Sequence, residues 1–374
     1  MKSWVKEKLK IVEELFPEDR LNKSKNRWTQ LWSGDIKKLD RYPFVYSPLT
    51  MNCYDIVETP EDRLLHSFEE FINRGRITDD FIPTFFPGCS TATIPNMFGA
   101  PEVFVEGNAN VEEMIHGVDE IRNLPDPKLG AVAQRWLEMQ KYFLEETEGR
   151  IPIHVADMQG PVDVCGKIWN YQDLFLSAYD HPEDFHRLMT KASDAFLMLW
   201  QAQTELLGKH LQPTHLFGWS WTPLEDITTA SCDSIVMVSP DFFEEFYRPH
   251  LERIASHFKN GLVLHSCGDL SAHVKTLLDL NFIRGINAGQ LKVKEFAAAG
   301  GNGSKPFMCA ADRDELPEIF DIIRDRHLRV DITIRCDWYP SSDPRNSPNI
   351  ANVLSHHKAI EKMSVSLAED LRRL

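Results

Sequence analysis

Two hydrophobic patterns alternate along this chain. Short apolar runs are bounded by Gly, Pro, Asn or Asp, and between them lie longer stretches whose apolar positions recur every three or four residues. The first pattern is typical of parallel strands buried on both faces, the second of amphipathic helices. The predicted strands are 42–46, 81–86, 151–156, 215–219, 262–265, 282–286, 306–309 and 330–335. The predicted helices are 60–74, 129–146, 182–207, 240–259, 270–279, 315–326 and 349–371.

Eight strands that alternate with helices predict an α/β fold, a (β/α)8 TIM barrel. We expect the barrel to cover residues 39–374 and to follow an N-terminal helical extension over residues 1–38. A doubly wound open sheet is the main alternative. It lacks support because no GxGxxG follows an early strand, so a dinucleotide-binding fold has no fingerprint here.

Charge and composition narrow the range of partners. The 374 residues include 41 Lys and Arg against 56 Asp and Glu, a formal net charge of −15. Such a surface repels nucleic acid and anionic membranes, and no run approaches the roughly 20 apolar residues of a membrane helix. We therefore expect neither nucleic acid nor membrane as a partner. Seven irregularly spaced cysteines and no apolar signal-peptide segment near the first residues lead us to expect a cytoplasmic protein with free thiols.

The most informative segment joins an apolar strand to a histidine and a cysteine. The run 262–265 ends in His265, and Cys267 follows two residues later. Residues two apart in an extended chain point to the same side, so the imidazole and the thiol face one point beyond the strand end. In a parallel barrel this is the face that carries active sites. The alternative is a core thiol beside a hydrogen-bonded histidine.

A third ligand would make this pair a metal site. Cys309 and Cys336 each end one of the last two predicted strands, so either thiolate could join His265 and Cys267. One nitrogen and two sulfurs suit zinc, and a catalytic zinc has three protein ligands and an open position. Strand counting alone does not choose between the two cysteines. The alternative for Cys309 is a small buried core residue.

Several segments, in order, resemble motifs of the uroporphyrinogen decarboxylase superfamily, and in particular its zinc-dependent corrinoid methyltransferase branch. They are 39–43 (LDRYP), 159–161 (QGP), 179–182 (YDHP), 239–246 (SPDFFEEF), 248–250 (RPH), 264–268 (LHSCG), 310–312 (AAD), and Cys336 before the C-terminal helix. The resemblance runs from about residue 39 to the end. It implies the same (β/α)8 barrel.

The resemblance also implies a ligand set and a reaction. The His-x-Cys…Cys pattern of the methyltransferases corresponds to His265, Cys267 and Cys336, which favours Cys336 over Cys309. The decarboxylases carry RQAGR after the first strand, whereas residues 44–53 contain no Arg, so tetrapyrrole decarboxylation is not expected. Residues 335–338 (RCDW) and 310–312 depart from the family pattern. These departures at the barrel mouth predict a substrate that differs from the known thiol acceptors.

We therefore interpret the chain as a zinc-dependent methyltransferase. It would move a methyl group between a corrinoid (methylcobamide) carried by a partner protein and a small thiol or related acceptor. The side chains expected to bind substrate are Trp219, Trp221, Gln159 and Trp338. Asp233 or Glu225 is a candidate fourth, oxygen ligand. The alternative function is a metal-free decarboxylase (lyase) of the same fold that acts on a non-porphyrin acid.

Overall fold

The computed structural model describes residues 1–47, 59–105, 108–214, 220–335 and 361–373. Its strands are β1 Phe44–Tyr46, β2 Glu102–Val105, β3 Asn108–Val111, β4 Ile153–His154, β5 Leu211–Gln212, β6 Thr228–Ser231, β7 Leu262–Ser266, β8 Ile283–Ala288, β9 Phe307–Ala311 and β10 Val330–Ile334. Its α-helices are α1 Ser3–Leu15, α2 Glu18–Ser33, α3 Pro60–Arg74, α4 Val118–Asn123, α5 Ala131–Thr147, α6 Pro161–Ile168, α7 Tyr171–Asp180, α8 Pro182–Leu207, α9 Pro240–Phe242, α10 Arg248–Ala255, α11 Val274–Asp279, α12 Val293–Ala298 and α13 Leu316–Arg326. Residues 361–370 are also helical.

Six parallel strands form the main sheet, in the order β1-β10-β9-β8-β7-β6. Isolated β-bridges and a backbone hydrogen bond connect the two edges of this sheet into a closed ring. Gln159 bridges Ser231 at the end of β6, and Phe85 bridges Ile153 of β4. The ring closes where the backbone N–H of Asp80 donates to the carbonyl of Phe44 in β1 at 2.9 Å. The predicted (β/α)8 barrel is confirmed.

One strand of the ring was not predicted. The segment that follows the third barrel strand around the ring is β6, whereas the predicted strand 215–219 lies outside the described residues. The sequence of β6 is Thr-Thr-Ala-Ser, and all four residues are buried. It was missed because hydroxyl side chains, unlike Val or Ile, give no apolar run. Residues 220–227 consequently lead into the barrel strand β6.

The helices agree closely with the prediction where proline fixes the first turn. α3 and α8 have the predicted bounds, and both have Pro at the first helical position. The predicted helix 240–259 is α9, a π-helical segment Phe243–Tyr247, and α10 in direct succession. Pro249 cannot donate a backbone hydrogen bond, which explains the irregular turn before it. Of the predicted helix 349–371, residues 349–360 lie outside the described part.

The N-terminal extension is packed onto the barrel. Residues of α1 and α2 such as Val5 and Trp28 belong to the same buried cluster as the barrel strands. Trp32 at the end of α2 enters a second cluster with Ile227, Val263 and Met308, which we call the basal plug. The plug lies at the N-terminal end of the strands, opposite the end of β7 that carries His265. None of the helices in the described part is long and apolar enough to span a membrane.

Candidate functional site

The register of the sheet brings the central site residues into one row. Ser231 of β6 pairs with His265 of β7, and His265 pairs with Asn287 of β8. Gln159, after the third barrel strand, bridges Ser231 on the other side. This row lies at the carboxyl ends of the parallel strands, the face where barrel enzymes place their active sites. His265 is only 3% exposed there.

Three side chains converge beyond the end of β7. The Nε2 of His265 lies 3.3 Å from the Sγ of Cys267 and 3.8 Å from the Oδ1 of Asp233. All three donor atoms lie within 4.8 Å of one another. Bonds of about 2.0–2.3 Å to a tetrahedral zinc place neighbouring donor atoms about 3.3–3.8 Å apart. Both distances fit that spacing, and a nitrogen, a sulfur and a carboxylate oxygen are donors that zinc accepts.

Asn287 sets the tautomer of the histidine. The Nδ1 of His265 lies 2.6 Å from the Oδ1 of Asn287, an oxygen that can only accept a hydrogen bond. The proton therefore resides on Nδ1, and the lone pair of Nε2 points toward Cys267 and Asp233. Such a partner orients a metal-binding imidazole. Asn287 was missed because the predicted strand stops at residue 286, whereas β8 continues to Ala288.

A buried carboxylate holds the loop that carries Asp233. The Oδ2 of Asp163 accepts from the hydroxyl of Ser231 at 2.7 Å and from the backbone N–H of Asp233 at 2.8 Å. Its Oδ1 accepts from the backbone N–H and the hydroxyl of Ser234, both at 3.0 Å. Asp163 lies in the first turn of α6, so this helix fixes the loop after β6. A further bond at 2.6 Å, from the backbone N–H of Cys267 to Asp233 Oδ1, ties that loop to the end of β7.

The site crowds acidic groups around Cys267. Asp157 and Asp163 are buried, whereas Asp233 is partly exposed and Cys267 is an exposed residue. Partial removal of the thiol from water, then the neighbouring Asp233, Asp157 and Asp163 carboxylates, raise the pKa of the Cys267 thiol to about 12. Burial and the carboxylates of Asp233 and Asp163 raise the pKa of Asp157 to about 7. Burial lowers the pKa of His265, so its neutral form is favoured. A divalent cation would be the largest local charge here and would reverse the effect on the thiol.

The structure separates Cys309 from this cluster. The ring of Phe307 stacks on Phe296 of α12, with centroids 4.0 Å apart, so Phe307 points outward to the helices. Because side chains alternate along a strand, Cys309 points outward as well. It is 4% exposed within the main hydrophobic cluster, and burial raises the pKa of its thiol to about 12. Cys309 is therefore a core residue. Cys336 lies outside the described residues.

The predicted substrate-binding residues are not all brought to the barrel mouth. Trp221 and Glu225 precede β6 and lie at its N-terminal end, where the Lys25 ammonium of α2 lies 6.0 Å from the Trp221 ring. The carbonyl of Glu225 accepts from Asn260 just before β7. The sequence analysis expected both at the barrel mouth because it ended the preceding strand at residue 219, whereas both precede β6. Gln159 does lie in the row of His265.

Two further predicted residues, Trp219 and Trp338, lie outside the described part of the chain. The carbonyl oxygen of the Gln159 side chain is buried, and no described group donates a hydrogen bond to it. A buried acceptor of this kind calls for a partner. The placement of Gln159 in the row of His265 thus agrees with the predicted role in substrate binding.

Comparisons with known proteins agree with this fold. The family model described as uroporphyrinogen decarboxylase (URO-D) matches residues 85–292, more than half of the chain. Among solved structures, a methyltransferase from Methanosarcina mazei superposes with a TM-score of 0.61 at 16% sequence identity, covering 91% of this chain and 98% of that chain. A comparison with curated proteins finds no match. The matched segment contains Asp233, His265 and Cys267, and the chain belongs to the uroporphyrinogen decarboxylase family.

Proposed function

We propose that this protein is a zinc-dependent methyltransferase. It would move a methyl group between a corrinoid carried by a partner protein and a small thiol or related acceptor. The observation that carries the proposal is the convergence of Asp233, His265 and Cys267 at the barrel mouth, where the His265 Nε2 lies from the other two donor atoms at distances that suit zinc. The likeness to the Methanosarcina mazei methyltransferase supports the transferase reaction. The corrinoid donor rests on the resemblance of residues 264–268 to the family motif.

Each residue has a distinct part in this proposal. His265 and Cys267 are metal ligands, and Asp233 supplies an oxygen ligand next to them. Asn287 keeps the Nε2 of His265 unprotonated, and Asp163 fixes the loop of Asp233. Zinc bound here would act as a Lewis acid that lowers the pKa of a substrate thiol so that it reacts as a thiolate. We propose Cys336 as the second sulfur ligand, on the family resemblance.

The lyase alternative has less support from the charges near the mouth. A decarboxylase needs cationic side chains free to bind substrate carboxylates. Lys292 and Arg335 are cations near the carboxyl ends of the strands, and both lie within 3.6 Å of the Asp312 carboxylate. Lys292 also lies 3.0 Å from the Glu315 carboxylate, so two carboxylates of this chain already balance the two positive charges. The acidic groups around Cys267 would also repel a substrate carboxylate.

The test combines metal content with methyl transfer. Protein purified without chelator is expected to contain about one zinc per chain, measured by mass spectrometry of the metal. Methylcobalamin should lose its methyl group in the presence of enzyme and the right thiol, followed by its visible spectrum. His265→Ala and Cys267→Ala should lose both properties, while Cys309→Ser keeps them. A metal-free wild-type protein that releases CO2 from an acid would favour the lyase.

A further inference from the structure

A second cavity lies at the opposite end of the barrel from the metal cluster. It measures about 650 Å³ and is bounded by the end of α2, the loop before β6, and the segments that lead into β8, β9 and β10. Trp32 of the basal plug forms part of its wall and separates it from the barrel interior. Its size falls within the range of small-molecule sites, about 300–1,000 Å³. Nothing in the proposed methyl transfer uses this cavity.

The lining of this cavity is cationic in a strongly acidic protein. Three of its twelve lining residues are basic, Arg284, Lys305 and Arg329, and none is acidic. With 56 acidic residues in 374, about two acidic residues would be expected among any twelve. The guanidinium of Arg284 lowers the pKa of both Lys305 and Arg329, after the larger effect of burial. The charge of Arg284 therefore repels the charges of Lys305 and Arg329.

The acids near this cluster do not cancel the repulsion. Burial is the largest effect on Lys305 and lowers its pKa. The exposed Asp279 raises this pKa and Arg284 lowers it, and the resulting pKa of Lys305 is about 8. Within the described part of the chain, Tyr42 raises the pKa of Arg329, and Tyr42 is itself a neutral phenol at pH 7 because burial raises its pKa. An anion in the cavity would face three cations and relieve their mutual repulsion.

Two of the three cations are held in place by backbone carbonyls. The ammonium of Lys305 donates to the carbonyls of Leu277 and Leu280 at 2.8 and 2.6 Å. The guanidinium of Arg329 donates to the carbonyls of Trp32, Gly303 and Ser304. These bonds fix the positive charges without neutralising them, since a carbonyl carries no net charge.

Two donors at the cavity remain unused. Arg284 makes no hydrogen bond or ion pair with any described residue, although its side chain lines the cavity. The indole N–H of Trp32 is buried, and no acceptor in the described part of the chain takes its hydrogen bond. A buried donor without an acceptor is rare in native proteins, and it calls for a ligand or water at that point.

We propose that this basal cavity is a binding site for a phosphate-bearing small molecule. Arg284 would contribute its whole guanidinium fork, which matches phosphate oxygens bidentately, and Lys305 and Arg329 would add charge. Thr29, Trp32 and Ser33 of α2 form one wall of the cavity. Ligand binding would thus hold the N-terminal extension against the barrel. The site is independent of the metal cluster and of the methyl-transfer proposal.

The test uses inorganic phosphate as the probe. Thermal unfolding of the full chain is followed at 0–50 mM phosphate, with NaCl adjusted so that ionic strength stays constant. We expect the melting temperature to rise saturably, by about 2 °C at ten times the dissociation constant. Hydrogen exchange of α2 should slow under the same conditions. The comparison of inorganic phosphate with adenosine monophosphate and with phosphatidic acid vesicles then distinguishes a free ion, a nucleotide and a lipid headgroup as the source of the phosphate.

Matched variants locate the effect. Arg284→Gln and Lys305→Gln should each abolish the saturable rise, and Arg284→Lys should retain part of it. Arg76→Gln removes the same charge from an exposed position outside the cavity and should behave as wild type. A melting temperature that does not respond to phosphate overturns the proposal. So does a response that survives in Arg284→Gln and Lys305→Gln, because the ion would then bind elsewhere.

Discussion

At the scale of single residues, the hydrogen bond between Asn287 and His265 decides which nitrogen can hold a metal. Asn287→Leu removes the acceptor of the Nδ1 proton and keeps a similar volume. The imidazole can then turn or change tautomer, and we expect zinc affinity to fall about 10–100-fold. Competition with a chromophoric chelator measures this. Cys309→Ser is the control, and unchanged affinity in Asn287→Leu would mean that Asn287 has only a packing role.

Replacing each of the two strand-end cysteines should have a different effect. If Cys336 is the second sulfur ligand, Cys336→Ser should release most of the zinc and abolish methyl transfer. Cys309 faces the helix layer beside Phe307, so Cys309→Ser should cost only some folding stability. Metal content and denaturant unfolding, measured on both variants, separate the two effects. The reverse pair of phenotypes would place the ligand on β9.

At the scale of elements, one glycine allows the third barrel strand to approach β6. A Cβ on Gly160 would lie 2.1 Å from the carbonyl oxygen of Ser231, a backbone atom that cannot move aside. Gly160→Ala should therefore force the strands apart, with a loss of about 1–3 kcal/mol in the free energy of unfolding. Zinc affinity should fall too, because the same contact supports Asp163 and the loop of Asp233.

Gly117→Ala is a matched control for this change. Gly117 also precedes a helix in an extended conformation, but a Cβ there would meet nothing within 4 Å. We expect its unfolding free energy to stay within about 0.5 kcal/mol of wild type. Denaturant unfolding of the two variants provides the comparison. Equal stability of both would contradict the steric argument.

The sequence predicted elements well where local signals and packing agree. Pro60 and Pro182 mark helix starts that the structure reproduces, because proline fits the first turn of a helix and disrupts the helix interior. β6 gave no signal, since its Thr and Ser side chains are buried by tertiary pairing and not by their own apolarity. Because of that omission, the sequence analysis expected Trp221 and Glu225 after a barrel strand, whereas both precede β6.

The candidate site was predicted only in part, because some of its residues are brought together by local spacing and others by pairing between strands. His265 lies in β7 and Cys267 follows its last residue, so the two-residue spacing alone places their side chains together. Asp233 and Asn287 join them through pairing between strands, which is not a local property of the sequence. Asp233 entered the prediction only as one of two candidates, and Asn287 did not enter it.

At the scale of the whole molecule, a buried histidine links stability to pH. His154 of β4 is 1% exposed, its Nδ1 bonds the carbonyl of Thr214, and burial lowers its pKa to about 4 from 6.5. Between these values the unfolded chain binds a proton and the folded chain does not. Stability from this group is therefore full above pH 6.5 and falls as the pH drops toward 4, by about 1.4 kcal/mol per pH unit.

His154→Gln isolates this contribution. Glutamine can still donate to the Thr214 carbonyl but does not titrate. Between pH 7 and pH 5, the free energy of unfolding of the variant should therefore fall by about 2 kcal/mol less than that of the wild type. Denaturant unfolding at both pH values measures the difference. His327→Gln, at an exposed helix end, should keep the wild-type slope. Equal slopes in wild type and His154→Gln would assign the pH dependence to other groups.

The basal plug also determines when, during synthesis, the contacts of Trp32 can form. Trp32 packs against Met308, and its carbonyl accepts from Arg329, which is made 297 residues later. Contacts of such separation form only after a large loop has closed, and chains dominated by them fold slowly. On the ribosome, the contacts of Trp32 with Met308 and Arg329 must wait until β9 and β10 have been made. Until then part of the Trp32 surface stays uncovered in the nascent chain, which is the kind of transiently exposed apolar surface that chaperones protect.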